Sequence, residues 1–359
     1  EALRLKYMLI GIDANEANVT KRVGSNVYAF EVLKQLYRQG DKHQFLIYLA
    51  RAPLNDLPRP KTNWHYRILS PGWLWTQWRL PFDLFFSRPR PKVFLTLGHY
   101  APRFSPVPTM VCLMDLAFLK FPQTFRRSDL WQLTNWTRYS VKQARHIFAI
   151  SQATNNDIIN SYGIRANKIS VAYPGVDKLP LGGKSPVKGD YLLYVGTLQP
   201  RKNIKALIEA FHSGVEEFST PEWKLVIAGK VGWKYKIQPA PNIKYLGYVS
   251  PARLAALIKG SLGLVLPSLY EGFGIPVVQA MSLGVPVLVS RNSSLTEIVS
   301  DCGLYIEPPF DANAIRSGLD KLLSLSASQK QKLITRAKLR SRQFTWENTA
   351  KILLAEICR

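Results

Sequence analysis

The sequence predicts an α/β protein built as two successive doubly wound domains on parallel sheets. Three features point there. The 359 residues suffice for two domains, at about 150 residues each. Short apolar runs of strand length alternate with segments of helical periodicity from end to end. A Pro- and Gly-rich stretch without periodicity, residues 177–189, splits that pattern into two series and reads as a linker.

In the first series Met8–Asp13, Gln44–Leu49, Val93–Leu97, Thr109–Met114 and His146–Ala149 read as strands. Val27–Arg38, Leu130–Gln143 and Thr154–Ser161 read as helices, with Ser151 placed to cap the last. In the second series Tyr191–Val195, Lys224–Ala228, Ile243–Leu246, Gly263–Leu266 and Val285–Val289 are the strands. Ile204–Phe211, Arg253–Ile258 and Pro276–Ser282 are helices, and Asn313–Arg342 and Trp346–Cys358 complete the chain as helix. In such folds ligands bind at the carboxyl ends of the strands.

Composition excludes several classes. Three scattered cysteines (Cys112, Cys302, Cys358) make neither a disulfide scaffold nor a Cys-rich zinc site, and fit a reducing compartment. No His-Glu-x-x-His or close His pair occurs among five histidines, so no protein-built metal centre is expected. No apolar run approaches the ~20 residues of a spanning helix. Glu1-Ala-Leu-Arg-Leu-Lys-Tyr7 enters the first strand without the layout of a signal peptide. The expected location is the cytoplasm, either free or peripheral on the inner face of the membrane.

Charge is the main anomaly: 48 Lys+Arg against 24 Asp+Glu, net +24. The excess peaks in residues 51–150, with 15 basic and 4 acidic side chains. Such a surface attracts phosphates, whether of nucleic acid, nucleotide-sugars or anionic lipid. Helix-turn-helix, RNP-like, zinc-finger and basic-repeat signals are missing, which sets nucleic acid aside as a partner. Asp13-Ala-Asn-Glu-Ala-Asn18 follows the first strand where a dinucleotide dehydrogenase would carry G-x-G-x-x-G. Trp73-Leu-Trp-Thr-Gln-Trp-Arg-Leu-Pro-Phe-Asp-Leu-Phe-Phe-Ser-Arg-Pro-Arg-Pro-Lys92 mixes aromatics with cations, which suits either a bilayer interface or a core helix followed by a basic loop.

The most informative segment is Pro267-Ser-Leu-Tyr-Glu-Gly-Phe-Gly-Ile-Pro276, in which a strand ends and a Gly-rich turn enters a helix. That geometry aims backbone N–H groups and a positive helix end at a ligand. The Glu271-Gly-Phe-Gly274 turn, Gly284-Val-Pro-Val287 and Ser293-Ser-Leu-Thr-Glu-Ile298 resemble the retaining glycosyltransferases of family four. The likeness continues. Tyr194-Val-Gly-Thr-Leu-Gln-Pro-Arg-Lys-Asn203 is similar to that family's phosphate-binding loop, and Tyr245-Leu-Gly-Tyr-Val-Ser250 to a segment near its nucleobase. Val171-Ala-Tyr-Pro-Gly-Val-Asp177 and Phe344-Thr-Trp-Glu347 resemble the close of its first domain and the start of its terminal helix.

The resemblance implies a GT-B fold, two Rossmann-like doubly wound domains facing across a cleft. It places an acceptor-side domain at 1–177, a linker at 178–189 and a nucleotide-sugar domain at 190–342. It also implies a terminal helix, 343–359, packed back on the first domain. The implied reaction moves a hexose, mannose or glucose, from a GDP- or UDP-linked sugar to a hydroxyl of a glycan or lipid-linked saccharide. It retains the anomeric configuration and uses neither metal nor cofactor. Lys202 and Arg201, beside Thr197, would neutralise the diphosphate, Glu271 would hold sugar hydroxyls, and Tyr248 and Val249 would lie near the base. Gly272, Phe273 and Gly274 would offer amides. Gly24 would approach the phosphate from the first domain, and Asp115 with Lys202 and Glu271 would carry the chemistry. His99 is a further candidate.

Each residue has a plainer reading. Lys202 and Arg201 fit a solvated helix start, Glu271 an N-terminal helix carboxylate, and His99 a structural imidazole. Asp115 fits a turn or cap, and Gly24 a simple turn. Two positions depart from the family pattern. Gln279 stands where a second glutamate is expected on the ribose, and Met114 where a His precedes Asp115. Both leave open a non-catalytic relative that binds nucleotide-sugar or glycan.

Overall fold

The computed structural model describes residues 7–177, 179–180, 183–212, 223–237 and 242–359. The first six residues of the expected leaderless N-terminus, and Lys178, Leu181 and Gly182 of the expected linker, lie outside the described residues.

The chain divides into two compact units. One holds the residues up to Leu119, with Arg126–Gly175 and Thr345–Arg359; the other holds Lys120–Phe125 and Val176–Phe344. The six residues Lys120–Phe125 therefore belong with the second unit although they lie inside the 1–177 range. Lys234 Nζ donates to the Gln123 carbonyl at 2.7 Å, the Trp233 indole N–H donates to the Thr124 carbonyl, and Phe121 packs at 6.3 Å from the Tyr270 ring.

In the first unit the described strands are β1 (Leu9–Asp13), β2 (Gln44–Leu49), β3 (Trp64–Ile68), β4 (Val93–Thr96), β5 (Thr109–Leu113), β6 (His146–Ala149) and β7 (Ile169–Val171). They form one parallel sheet in the order β3-β2-β1-β4-β5-β6-β7. The second unit has β8 (Tyr191–Val195), β9 (Lys224–Ala228), β10 (Ile243–Gly247), β11 (Gly263–Leu266), β12 (Val287–Ser290) and β13 (Leu304–Ile306), in the parallel order β10-β9-β8-β11-β12-β13. The central strands are buried throughout, β4, β5, β6, β11 and β12 without an exposed residue. Helices cover both faces of a parallel sheet, so these strands read as continuous apolar runs rather than alternating ones.

Three strands escaped the sequence reading: β3, β7 and β13. All lie at sheet edges. Trp-His-Tyr-Arg-Ile buries only its Trp64, and the other two are three residues long, so none presents an apolar run. The helix expected over Asn313–Arg342 is two helices, Ala312–Leu323 and Ala327–Ser341. Ser326 breaks it by accepting from the Gln329 N–H while the Gln329 side chain returns to the Ser326 N–H, a reciprocal cap that starts a new helix. Ser151 caps the helix Gln152–Tyr162 as expected, accepting from Thr154 N at 3.0 Å.

Residues 73–92 form a π-helical turn (Trp75–Arg79) leading into the helix Leu80–Phe86. Trp75, Leu80 and Leu84 enter a core with Tyr48, Leu69, Phe94 and Val107. Trp73, Trp78, Phe82 and Phe86 stay exposed. The segment is therefore a core helix on one side and an uncovered aromatic face on the other.

The terminal helix Trp346–Ile357 packs on the helix Ser25–Gln39, with Trp346 edge-on to Tyr28 at 5.9 Å. Thr349 Oγ1 donates to the Tyr173 carbonyl at 2.6 Å. Gly175 lets this happen, because a Cβ there would lie 2.0 Å from the Trp346 backbone nitrogen. Backbone cannot yield as a flexible side chain does, so Gly175→Ala should cost at least about 2 kcal/mol by overpacking. The expected result is a lower melting temperature and early hydrogen exchange in the Trp346–Ile357 amides. An unchanged melting temperature would show that the close approach at Gly175 does not fasten this helix.

Candidate functional site

Two loops of the second unit meet at the strand ends. After β8 the chain runs through Gly196–Gln199 into a 3₁₀ turn, Pro200–Lys202, and Asn203 adopts a left-handed φ of 56° before the helix Ile204–His212. After β11, Pro267–Gly274 leads to the helix Ile275–Leu283, whose N-cap Gly274 has φ 104°. A Cβ at Gly274 would also stand 2.9 Å from a Leu295 methyl, so both conformation and space call for glycine. The Leu269 N–H donates to the Arg201 carbonyl at 2.8 Å and Arg201 Nη1 donates to the Tyr270 carbonyl at 2.9 Å. These bonds lock one loop to the other.

Glu271 is the hub. It is 6% exposed, and its carboxylate is ion-paired with Lys202 Nζ and lies 3.7 Å from Arg201 Nη1. Ser268 Oγ donates to the same carboxylate at 2.7 Å. Burial alone would raise the carboxyl pKa. The Lys202 and Arg201 charges and the hydrogen bonds from Lys202 and Ser268 outweigh it and hold Glu271 below the ordinary glutamate range. The backbone of this turn is also fixed: Glu271 N donates to Ser293 Oγ at 3.0 Å, and Ser294 Oγ donates to the Glu271 and Phe273 carbonyls at 2.9 and 3.0 Å. Ser293 holds a φ of 44°, a strained value for a residue with a side chain.

Lys202, Arg201 and Glu271 thus come together, with Gly272, Phe273 and Gly274 on the same turn. Phe273 is buried edge-on against Phe344 at 5.3 Å. Among the described residues no hydrogen bond or ion pair joins Thr197, Tyr248, Val249 or Gln279 to this cluster. Thr197 is half-buried on the loop after β8; Tyr248 is exposed after β10, with Lys230 Nζ 5.4 Å from its ring; Gln279 is half-buried on the helix Ile275–Leu283. Ser268, Asn292 and Ser294 were not singled out from the sequence. Asn292 donates to the Ser268 and Leu269 carbonyls at 3.0 and 2.9 Å, and its only sequence signal was its place just before the Ser293–Ile298 motif.

The first unit places its candidates at the ends of β1, β4 and β5. Gly24, with φ 53°, precedes the helix Ser25–Gln39. Glu16 organises its loop, accepting from Asn26 Nδ2 at 2.7 Å and Ser25 Oγ at 3.4 Å. Asp115 forms a turn, accepting from Ala117 N at 3.0 Å. Met114 is 8% exposed, and its carbonyl accepts from Thr154 Oγ1 at 3.4 Å. His99 has its pKa lowered by burial, against a raising influence from Asp115, and its Nδ1 is buried without a hydrogen-bond partner. A cavity of about 560 Å³ opens beside these residues, lined by Asp13, Glu16, His99, Tyr100 and Trp73 among others. Asp13 and Glu16 were not predicted as site residues. Among the described residues no group of three His, Cys, Asp or Glu side chains is placed to hold a metal ion.

Residues 23–178 match the family described as Glycosyltransferase Family 4, and residues 180–340 match Glycosyl transferases group 1. The chain is 30% identical over 254 residues to the O-antigen chain mannosyltransferase B of Escherichia coli, covering 65% of this chain. It is 29% identical over 205 residues to the O-antigen chain mannosyltransferase RfbU of Salmonella typhimurium, covering 55% of this chain. The matches span 66% and 56% of those proteins' own lengths. Among solved structures, Anabaena HepE in complex with UDP-glucose has the same fold, with a TM-score of 0.72 at 16% identity over 98% of this chain and 99% of that one. The fold is GT-B, carried by two Rossmann-like units.

The depressed Glu271 pKa makes a pH prediction. A carboxyl whose native pKa lies below its unfolded value adds stability above the ordinary 4.5, and that contribution is lost as pH falls through the native pKa. Removing one partner of a buried ion pair typically costs several kcal/mol, so Glu271→Gln should lose roughly 2–4 kcal/mol at pH 7. The deficit should shrink below pH 4, as read by thermal melts from pH 7 to 3. A deficit independent of pH would remove the ion pair as its cause.

Proposed function

The chain belongs to the GT-B glycosyltransferases of family four, and we propose that it transfers a hexose from a nucleotide-diphosphate sugar to a hydroxyl of a glycan or lipid-linked saccharide. The observation that carries this reading is the Arg201-Lys202-Glu271 cluster, which joins the loops after β8 and β11. In it Lys202 and Arg201 neutralise the departing diphosphate, the task a metal ion performs elsewhere, and the amino end of the helix Ile275–Leu283 adds to them. Glu271 accepts hydrogen bonds from hydroxyls of the transferred sugar. The bond from the anomeric carbon to the diphosphate breaks, and the bond from the acceptor oxygen forms on the same face. Because the new bond forms on the face the diphosphate leaves, configuration is retained, and the acceptor proton passes to the leaving phosphate. The similarity to O-antigen chain mannosyltransferases favours mannose over glucose.

One observation favours a second reading. Met114 presents a thioether where a histidine would donate a hydrogen bond, and Gln279 is uncharged. A protein that binds the donor without transferring it would show these substitutions. Titration calorimetry with GDP, UDP, guanosine and uridine on Lys202→Ala tests the site. A lost charge-assisted hydrogen bond is worth roughly 1.5–3 kcal/mol, so diphosphate affinity should fall about 10- to 100-fold while nucleoside affinity holds. Equal losses for both would make Lys202 a structural residue. Donor hydrolysis or transfer then separates the enzyme from the binding protein.

The same reading places the acceptor at an anionic membrane surface. No helix of the described residues is long and apolar enough to cross a membrane. The exposed Trp78, Phe82 and Phe86, beside Arg79, Arg88, Arg90 and Lys92, offer apolar insertion together with lipid-headgroup attraction. Co-sedimentation with phosphatidylglycerol vesicles should be strong at low salt, fall as salt rises, and drop at least fivefold in Trp78→Ser/Phe82→Ser. No sedimentation at low salt would return this face to soluble acceptors.

A further inference from the structure

The cavity of the first unit is chemically unlike the rest of the chain. The protein carries twice as many basic as acidic side chains, and residues 51–150 are the most basic part. Yet the cavity at the ends of β1 and β4 is lined by two carboxylates, Asp13 and Glu16, against a single Lys or Arg, the exposed Arg51. Its volume of about 560 Å³ falls within the usual range of small-molecule sites.

Its polar atoms are only half used. Asp13 Oδ1 accepts from the Asn15 backbone at 3.0 Å and the Asn15 side chain at 2.8 Å, while Asp13 Oδ2 takes no hydrogen bond from the described residues. Glu16 is bonded through Oε2, leaving Oε1 open. His99 Nδ1 is buried without a partner. The buried His99 nitrogen is costly to leave unmade, and the two carboxylate oxygens stand open to a donor, so a ligand carrying several hydroxyl groups would satisfy all three. Trp73 and Tyr100 add aromatic faces, and Trp73 is 79% exposed, held out from the core.

A carboxylate pair with open oxygens repels phosphate and accepts from hydroxyls. Aromatic faces take up the C–H surface of a sugar ring. Although His99 shares the cavity with the two carboxylates, no group of three His, Cys, Asp or Glu side chains among the described residues is placed to hold a metal ion. We propose that this cavity binds an uncharged pyranose, gripped by Asp13, Glu16 and His99 and stacked on Trp73. It would therefore accept the neutral end of a saccharide and refuse a phosphorylated one. The inference rests on the transferase reading for its role, since the bound ring would be the acceptor residue. Burial holds the Asp13 carboxyl at a pKa of about 6, above its ordinary 3.8, so an isosteric amide would be easier to fold around at neutral pH. Keeping the acid there is a stability cost that structure alone does not explain.

Direct binding, with no donor present, tests it. Saturation-transfer NMR and calorimetry at pH 7.5 would use methyl α-D-mannopyranoside, methyl α-D-glucopyranoside and mannose 6-phosphate. At least one neutral glycoside should bind, and mannose 6-phosphate at least tenfold more weakly. Trp73→Ala and Asp13→Asn should each weaken the glycoside about tenfold and leave GDP and UDP affinity unchanged, and Asp13→Asn should also melt higher than the parent at pH 7.5. Because Trp73 is exposed, Trp73→Ala carries the test even if Asp13→Asn folds poorly. The proposal is overturned if neither glycoside binds, if the phosphorylated sugar binds as well as the neutral one, or if binding survives in both variants. Glycoside binding that depends on Trp73 in a protein that binds no nucleotide would uphold the cavity and sink the transferase reading.

Discussion

A buried carboxylate between two strand-end loops organises the second unit. Glu271 can remain charged inside the protein only because Lys202, Arg201 and Ser268 reach it together. Two of those groups come from the loop after β8, and the third lies on Glu271's own loop after β11. The pairing therefore joins neighbouring strands of the sheet. Its consequences spread outward: Arg201 is held against the Tyr270 carbonyl, and Ser293 accepts from the Glu271 N–H at a strained backbone angle. Gly274 then turns the chain into the helix. Two cations are thereby held together beyond the ends of β8 and β11.

The two units repeat one topological device. The strand order reverses between β1 and β4 in the first sheet and between β8 and β11 in the second. At such a reversal the helices on either side leave in opposite directions, and a crevice opens beyond the carboxyl ends of the strands. Each unit has its distinctive polar groups at that point. In the second they are Lys202 and Glu271, beyond β8 and β11. In the first they are Asp13 at the end of β1 and His99 beyond β4, with Asp13 paired in register with Thr96. The chemistry of the two points differs: an ion-paired Arg201-Lys202-Glu271 cluster in one, and the carboxylates Asp13 and Glu16 in the other.

Much of this was legible in the sequence because the features are local. Parallel central strands announce themselves as apolar runs, and the Glu271–Gly274 turn is a contiguous motif. The Arg201-Lys202 pair sits immediately before a helix. What escaped notice depends on neighbours distant in sequence. β3, β7 and β13 are edge strands whose pairing with a longer neighbour defines them more than their own composition does. Ser268 matters only because Glu271 folds back toward it, and Asn292 because the loop after β12 comes up beneath the loop after β11. Lys120–Phe125 reads as ordinary loop, yet Trp233 and Lys234 claim its carbonyls for the second unit. Asp13 was seen only as the end of a strand; its open oxygen and raised pKa come from the burial that the whole sheet imposes.

Met114 stands where the family resemblance implies a histidine before Asp115. Its position at the end of β5 is almost closed to solvent, and a thioether there packs well while donating nothing. Asp115 beside it spends one oxygen on the Ala117 N–H and is held as a turn. The open polar atoms near these strand ends belong to other residues. His99, beyond β4, keeps a buried and unpartnered Nδ1, and burial holds its imidazole neutral near physiological pH, so it offers one donor and one acceptor. Asp13 and Glu16 supply the open acceptors. In the folded unit the polar groups at these strand ends are therefore Asp13, Glu16 and His99 rather than residue 114.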